Sequence, residues 1–172
     1  PYRPETTGQM GFIPGEGFYL TMTCMEEEPQ CMCVDPNDPV YLDIAMEAFF
    51  QFYDTDGKGD YMNFEMNGLG TLLAEYGNVK LNRTVLPLPL HKLCDCHAKI
   101  EEESLSIDIM IPLEAIEHVY GKSDFKPGDK FMCNFYKVKE TPDLIHYGCY
   151  SPIESKLPNF HLTQYFAEAI IQ

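Results

Sequence analysis

Apolar and polar residues alternate along several short segments of this 172-residue chain. Within residues 17–24, Phe18, Leu20, Met22 and Cys24 would point to one side of an extended chain and the residues between them to the other. This two-residue period is typical of a β-strand with one buried face. Together with runs rich in aromatic and β-branched residues, it predicts further strands over 10–13, 45–53, 60–67, 104–111, 131–138 and 167–171.

Only one segment clearly favours a helix. Residues 112–120 begin with Pro112, which suits the first helical position, and Gly121 follows them as a stop signal. Residues 14–17, Pro-Gly-Glu-Gly, predict a hairpin turn between the first two strands. Many short strands with one short helix predict an all-β fold, an antiparallel two-sheet β-sandwich. The length suits a single domain over 1–172, and because Pro1 is not a natural start we expect a truncated N-terminus.

Charge limits the partners of the chain. Twelve Lys and Arg face 27 Asp and Glu, which gives a formal net charge of −15 at pH 7. Nucleic acid and anionic membrane surfaces would repel such a chain, so we expect neither as a partner. A neutral or cationic ligand is compatible with this charge. No apolar run approaches the ~18 residues that a transmembrane helix needs.

A row of polar side chains is predicted on one face of the strand at 60–67. Tyr61, Asn63, Glu65 and Asn67 alternate with apolar residues, so they would lie on the same face at intervals of about 7 Å. Amide and carboxylate groups offer the donors and acceptors that neighbouring sugar hydroxyls need. An ordinary solvated face, or a hydrogen-bonded network that supports a loop, would give the same pattern.

Glu47 lies in the otherwise apolar strand predicted at 45–53, and a buried Glu needs a partner. Arg83 or Lys80 could be that partner. Alternatively, Glu47 could accept hydrogen bonds from a ligand hydroxyl on the floor of a site. Asn134, on another predicted strand, could extend the polar row.

Five motifs occur in order along the chain. They read Asp-x-x-x-Glu at 43–47, Tyr-x-Asn-Phe-Glu-x-Asn-x-x-Gly at 61–70, Asn-Phe-Tyr at 134–136, His-Tyr-Gly-x-Tyr-x-Pro at 146–152 and Pro-x-Phe-His at 158–161. In this order and spacing the chain resembles carbohydrate-binding family 9 over residues 8–171. The resemblance implies a β-sandwich that binds sugar and performs no chemistry of its own.

The resemblance also implies roles for single residues. It implies that Glu47 contacts sugar and that Tyr41, six residues earlier, stacks on it. Tyr150 stands where the tail motif of the family has Trp, and this chain contains no Trp. We therefore expect Tyr41 and Tyr150 to stack on one sugar ring. The hydrogen-bonding residues expected beside them are Glu47, Asn63, Glu65, Asn67, Arg83 and Asn134.

Seven cysteines are present, so at least one cannot pair within the chain. Cys31 with Cys33, and Cys94 with Cys96, form two Cys-x-Cys pairs. Free thiols, disulfides and a zinc ion held by four thiolates are all open. The single intervening residue differs from the usual two-residue spacing of zinc sites and makes a local disulfide awkward. We expect free thiols, which favours a cytoplasmic location over a secreted one.

Calcium is a further expectation, because the resemblance implies a structural calcium ion. Residues 54–65 approach an EF-hand loop, but Lys58 occupies a ligand position and the flanking residues predict strands. A hairpin turn is the better interpretation of that segment. Candidate ligands elsewhere, chosen by residue type alone, are Asp35, Asn37, Asp38 and Asp43. The predicted function requires no cofactor.

These observations predict non-catalytic binding of a saccharide, at a chain end and in the context of carbohydrate catabolism. Glu47 and Glu65 could instead form the carboxylate pair of a glycoside hydrolase, although nothing marks one of them as the acid. No nucleophile elbow, P-loop or dinucleotide fingerprint occurs. A structural domain with a decayed sugar site is the third interpretation, and the absence of Trp keeps it open.

Overall fold

The computed structural model describes residues 2–26, 29–54, 57–140 and 145–172. Short strands dominate this part of the chain. They are β1 Thr6–Ile13, β2 Gly17–Met25, β3 Ala45–Gln51, β4 Tyr61–Asn67, β5 Leu72–Gly77, β6 Thr84–Val85, β7 His97–Ile100, β8 Ser104–Pro112, β9 Lys130–Lys139, β10 His146–Cys149 and β11 Ala167–Ile170. The described residues also form helices α1 Leu88–Leu93 and α2 Leu113–Tyr120 and the 3-10 turns Val40–Leu42 and Thr163–Tyr165.

The strands pair into two antiparallel sheets. The smaller sheet has the order β1-β2-β8-β7. The larger sheet has the order β10-β9-β3-β4-β5-β6, with β11 also paired to β9. Apolar side chains from both sheets share one core. The predicted two-sheet antiparallel β-sandwich is confirmed.

The core follows from the alternation in the sequence. Leu20 of β2, Ile109 of β8 and Phe64 of β4 are each no more than 2 % exposed and belong to the same apolar cluster. Burial of a side chain of this size stabilises the fold by roughly 1.5–3 kcal/mol. Because the apolar residues of β4 face the core, its polar residues must take the outer face of the larger sheet.

Helix α2 is confirmed with one shift at its start. Pro112 keeps an extended backbone and pairs with Gly17 as the last residue of β8, so the helix begins one residue later than predicted. It ends at Gly121, whose φ of 73° is left-handed and whose N–H donates to the carbonyl of Glu117 at 2.7 Å. Neither described helix is long and apolar enough to cross a membrane.

The segment at 54–65 joins two strands. Residues 61–65 already belong to β4, which pairs antiparallel with β3 so that Phe50 lies opposite Met62. The prediction of flanking strands is therefore confirmed, and an EF-hand would need helices there. Thr55 and Asp56 lie outside the described residues.

All seven cysteines are free thiols in the structure. Burial raises the pKa of Cys94 and of Cys96 to about 12, because an apolar environment disfavours the thiolate that zinc would require. No three His, Cys, Asp or Glu residues of the described ranges are grouped so that they could hold a metal ion. The zinc alternative therefore finds no site in this part of the chain.

Candidate functional site

The outer face of the larger sheet is covered rather than solvated. On β4, Asn63, Glu65 and Asn67 point away from the core as predicted, yet each is at most 4 % exposed. The loop before β3 covers one end of this face and the tail after β10 covers the other. A covered polar face must satisfy its hydrogen bonds internally or with a ligand.

The tail, residues 158–161, lies over the part of the outer face that carries the rings of Tyr61 and Tyr136. Phe160 stacks on Tyr136 of β9 with ring centroids 4.1 Å apart, and its carbonyl accepts a hydrogen bond from the Tyr136 hydroxyl at 3.1 Å. The Tyr61 hydroxyl lies 2.7 Å from His161 Nδ1. Burial lowers the pKa of His161 to about 3, so the neutral ring can accept this bond near pH 7. These contacts hold residues 158–161 against the sheet.

Asn67 holds the loop at the opposite end. Its Nδ2 donates to the carbonyl of Cys33 at 2.8 Å and to the Asp43 carboxylate at 2.9 Å. Its Oδ1 accepts from the backbone N–H groups of Leu69 and Thr71, both at 3.0 Å. Every polar atom of this amide is therefore used by the protein, and Asn67 supports the loop rather than lining a cavity.

A cavity of about 620 Å³ lies between these two covers, on the outer face of the larger sheet. We call it the sheet-face cavity. Tyr41, Glu47, Glu65 and Arg83 line it, so the fold brings four of the eight predicted residues together. Its volume falls within the ~300–1,000 Å³ of small-ligand pockets.

Two buried carboxylates form the floor of the sheet-face cavity. Glu47 on β3 and Glu65 on β4 are opposite each other in the strand register and are 3 % and 4 % exposed. Glu65 Oε1 accepts a hydrogen bond from Asn63 Nδ2 at 3.0 Å, but its Oε2 has no partner among the described residues. Glu47 likewise forms no hydrogen bond with them. Buried polar atoms without partners are rare, so a ligand is the natural partner for this pair.

Burial sets the protonation of the pair. It raises the pKa of Glu65 to about 7, and it raises the pKa of Glu47 well above the usual value with help from the charge of Glu65. Two neighbouring buried carboxyls therefore share protons near neutral pH. In this state they can both donate to and accept from ligand hydroxyls.

Arg83 joins the floor of the cavity to its wall. Its Nε donates to Asn63 Oδ1 at 3.1 Å, its Nη1 to the Gly77 carbonyl at 2.7 Å and its Nη2 to the Tyr61 carbonyl at 2.9 Å. The guanidinium also lies 3.9 Å from the centre of the Tyr61 ring. Asn63 does not line the cavity; it connects Arg83 to Glu65 and so fixes both.

Asn134 and Tyr150 lie elsewhere. Asn134 Oδ1 accepts from the N–H of Ser151 at 2.8 Å, and its Nδ2 donates to the Ser151 carbonyl at 3.0 Å, so it fixes the chain after β10. Tyr150 is 71 % exposed and lines a second cavity of about 1070 Å³ between β1 and β9, which we call the edge cavity. Tyr41 and Tyr150 therefore do not line the same cavity.

The family model for carbohydrate-binding family 9 matches residues 1–171 of this chain. The chain belongs to this family. A solved structure named "putative carbohydrate-binding protein from Bacteroides uniformis" is similar to it, with a TM-score of 0.86 and 25 % identity. That match covers 100 % of this chain and 80 % of the other. No curated protein sequence matches the chain.

Family 9 consists of non-catalytic carbohydrate-binding modules, so this chain is a carbohydrate-binding module and not an enzyme. The hydrolase alternative for Glu47 and Glu65 is therefore not supported. A buried carboxylate pair with raised pKa values is compatible with binding as well as with catalysis, because both need hydrogen bonds to sugar oxygens.

Other residues of this family 9 chain that line the sheet-face cavity were not predicted from the sequence as ligand-binding residues. They include Tyr147, Phe160, Glu75 and Glu140. Tyr147 and Phe160 lie inside the two tail motifs, so the motifs contained the signal. Tyr147 of β10 pairs with Val138 of β9, which also lines the cavity. Glu75 lies on β5, a strand that the sequence analysis did not predict.

The candidate calcium ligands hold the loop before β3. The Asp43 carboxylate accepts hydrogen bonds from the backbone N–H groups of Met32 and Cys33 at 3.0 Å, and Asp38 accepts from two further backbone N–H groups. Throughout the described ranges no three acidic, His or Cys residues are grouped so that they could hold a metal ion. Asp43 and Asp38 thus hydrogen-bond the backbone of this loop, and the structural calcium ion stays a prediction.

Proposed function

We propose that the sheet-face cavity is the saccharide-binding site of this family 9 module. The observation that carries the proposal is the pair Glu47 and Glu65, buried on the cavity floor, where Oε2 of Glu65 has no partner among the described residues. A ligand hydroxyl would satisfy this oxygen. Tyr41 and Tyr147, which are 37 % and 40 % exposed, line the same cavity and offer rings for the C–H face of a pyranose.

We further propose that the ligand enters as the end of a saccharide chain, in a context of carbohydrate catabolism. The loop at 80–83 and the tail at 158–161 both line the sheet-face cavity, over a floor of sheet residues. Walls on several sides suit one terminal sugar unit better than the middle of a long chain. The catabolic context rests on the family resemblance alone.

Truncation of Tyr41 tests the proposal. Tyr41→Ala is expected to weaken saccharide binding about tenfold, because aromatic contacts are worth roughly 0.5–1.5 kcal/mol beyond their buried area and ~1.4 kcal/mol is a factor of ten. Tyr41→Trp is expected to tighten binding by adding stacking area. Isothermal titration calorimetry, with the best ligand from a thermal-shift screen of mono- and disaccharides, measures both effects.

Tyr150→Ala is the matched control. It removes the same ring from the edge cavity and is expected to leave the affinity within twofold of the wild type. Equal losses in Tyr41→Ala and Tyr150→Ala would contradict the assignment of the sheet-face cavity. Failure of every saccharide to bind the wild type would support the decayed-site interpretation instead.

A further inference from the structure

Acidic side chains outnumber basic ones in the sheet-face cavity. Four carboxylates line it, from Glu47, Glu65, Glu75 and Glu140, and two cations, from Lys80 and Arg83. The Arg83 guanidinium donates to protein groups on three sides, and Lys80 is exposed to solvent, where its charge is screened. The two carboxylates on the floor, by contrast, are buried and keep oxygens without partners.

We propose that this cavity selects an amino sugar with a free, protonated amine, and that Glu47 and Glu65 hold the ammonium group between them. The proposal rests on the function proposed above and specifies its ligand class. A sugar hydroxyl donates one hydrogen bond, whereas an ammonium group has three N–H donors and a positive charge. Charge-assisted bonds to a carboxylate are about twice as strong as neutral ones. Two adjacent carboxylates with unpaired oxygens therefore suit an ammonium better than a hydroxyl.

A metal ion is a poorer occupant of this cavity. No three carboxylate, His or Cys side chains in the described parts of the chain are close enough together to hold one. An ammonium group needs only hydrogen-bond distances of about 2.7–2.9 Å to each carboxylate and does not require a closed coordination shell. An anionic sugar such as a uronic acid would face four carboxylates and is disfavoured.

Of the other titratable groups around the pair, only Arg83 and Lys80 among the described residues carry a positive charge that opposes a cation. His161 on the tail is neutral near pH 7, because burial lowers its pKa to about 3. Burial raises the pKa of the Tyr41 hydroxyl and of the Tyr147 hydroxyl, so both stay uncharged. Tyr61 and Tyr136, beside the floor, stay uncharged for the same reason. Glu75 and Glu140 also line the cavity, so the described lining holds more carboxylates than cations.

The carboxyl groups on the floor hold protons that a cation would displace. Burial raises the pKa of Glu65 to about 7 and raises the pKa of Glu47 well above its usual value. An ammonium group favours the ionised carboxylates, so binding would release a proton from the floor to the buffer while the amine keeps its own. A neutral sugar has no such preference.

Calorimetry at pH 7 tests the ligand class with matched sugars. The probes are glucose, galactose and mannose, each beside its 2-amino and 2-acetamido counterpart, together with glucuronate. For at least one of the three hexoses, we expect the 2-amino sugar to bind at least about tenfold more tightly than the parent sugar. This is the gain expected for a close charge pair. The 2-acetamido sugar and glucuronate should lose this gain. Repeating the titration in buffers of different ionisation enthalpy should show proton release for the amino sugar only.

Variants of the floor complete the test. Glu65→Gln and Glu47→Gln should each reduce the ratio of amino-sugar affinity to hexose affinity to about one. Glu102→Gln removes the same charge from an exposed turn and should retain the wild-type ratio. Equal binding of hexoses and amino sugars, or a ratio unchanged in both floor variants, would overturn this proposal and leave the saccharide site standing. Absence of binding by any sugar would overturn the saccharide site as well.

Discussion

An Arg83→Ala variant is expected to lose about 3–5 kcal/mol of unfolding free energy and to lose measurable saccharide binding. The guanidinium satisfies Asn63 Oδ1 and the carbonyls of Tyr61 and Gly77. Each buried acceptor that is left without a donor costs about 1–3 kcal/mol. Glu65, beside Asn63, would also lose a nearby positive charge. The loop that forms one wall of the sheet-face cavity would then lose its main attachment to the sheet.

Urea unfolding monitored by circular dichroism measures the loss, and calorimetry measures binding. Lys80→Ala is the matched control, because Lys80 has the same charge and lines the same cavity but is exposed. It should change stability by no more than ~0.5 kcal/mol. Arg83→Lys should recover only part of the stability, since an ammonium cannot reproduce the three-sided pattern of donors. A small effect of Arg83→Ala, equal to that of Lys80→Ala, would contradict the bridging role.

Glu65→Gln is expected to stabilise the unliganded protein at high pH and to have little effect at low pH. The pKa of Glu65 is raised from its usual 4.5 to about 7 in the folded state. When folding raises the pKa of an acid, the folded protein is not penalised below the unfolded-state pKa. The free energy of unfolding then falls as the pH rises from the unfolded-state pKa to the folded-state pKa. At about 1.4 kcal/mol per pKa unit, the penalty at pH 8 is about 3 kcal/mol. Gln cannot ionise and so avoids this penalty.

The measurement is the difference in unfolding free energy between Glu65→Gln and the wild type at pH 4, 6 and 8. It should rise from near zero to about 3 kcal/mol in favour of the variant, with most of the change between pH 4.5 and 7. Glu102→Gln, on an exposed turn, should show no such trend. A difference that is independent of pH would mean that Glu65 ionises normally in the folded protein.

The strand pattern predicted most of the sandwich. Alternation in β2, β4 and β8 fixed which side chains enter the core, because a one-residue shift would turn every apolar side chain to the wrong face. The same alternation placed Glu65 on the outer face, and the antiparallel register of β3 and β4 brought Glu47 opposite to it. Three residues that line the sheet-face cavity, Tyr41, Glu47 and Glu65, could therefore be predicted from local pattern and motif order.

The sequence could not show which polar residues the covering segments would use. Asn67 resembles a ligand residue in the strand pattern, but the loop before β3 folds back and takes all its hydrogen bonds. Tyr150 follows the end of β10, where its N–H bonds to Phe135 and its ring turns to the edge cavity. Tyr147, inside β10, lines both cavities. Such long-range placement depends on tertiary contacts that no local period encodes.

The sequence analysis did not predict β5, β6, β7, β10 or helix α1, and for β5 and α1 the reason is local. β5 begins with Leu72, Leu73 and Ala74, which are buried on both faces and so show no alternation. Helix α1 has only six residues and contains a proline near its start, so its helical period is too short to recognise. It is held by His91, whose Nε2 lies 2.8 Å from the Leu72 carbonyl. Of the two, only β5 lines the sheet-face cavity, through Leu73 and Glu75.

Mapping of a bound saccharide onto the two cavities tests the central claim most directly. The measurement is a titration of the ¹⁵N-labelled protein, followed by backbone amide chemical shifts, with the saccharide that binds most tightly in the calorimetric screen. If the sheet-face cavity is the site, the largest saturable shifts will cluster at Tyr41, Glu47, Glu65 and Phe160, which do not line the edge cavity. Shifts clustered instead at the edge cavity, around Met10 and Tyr150, would contradict the account.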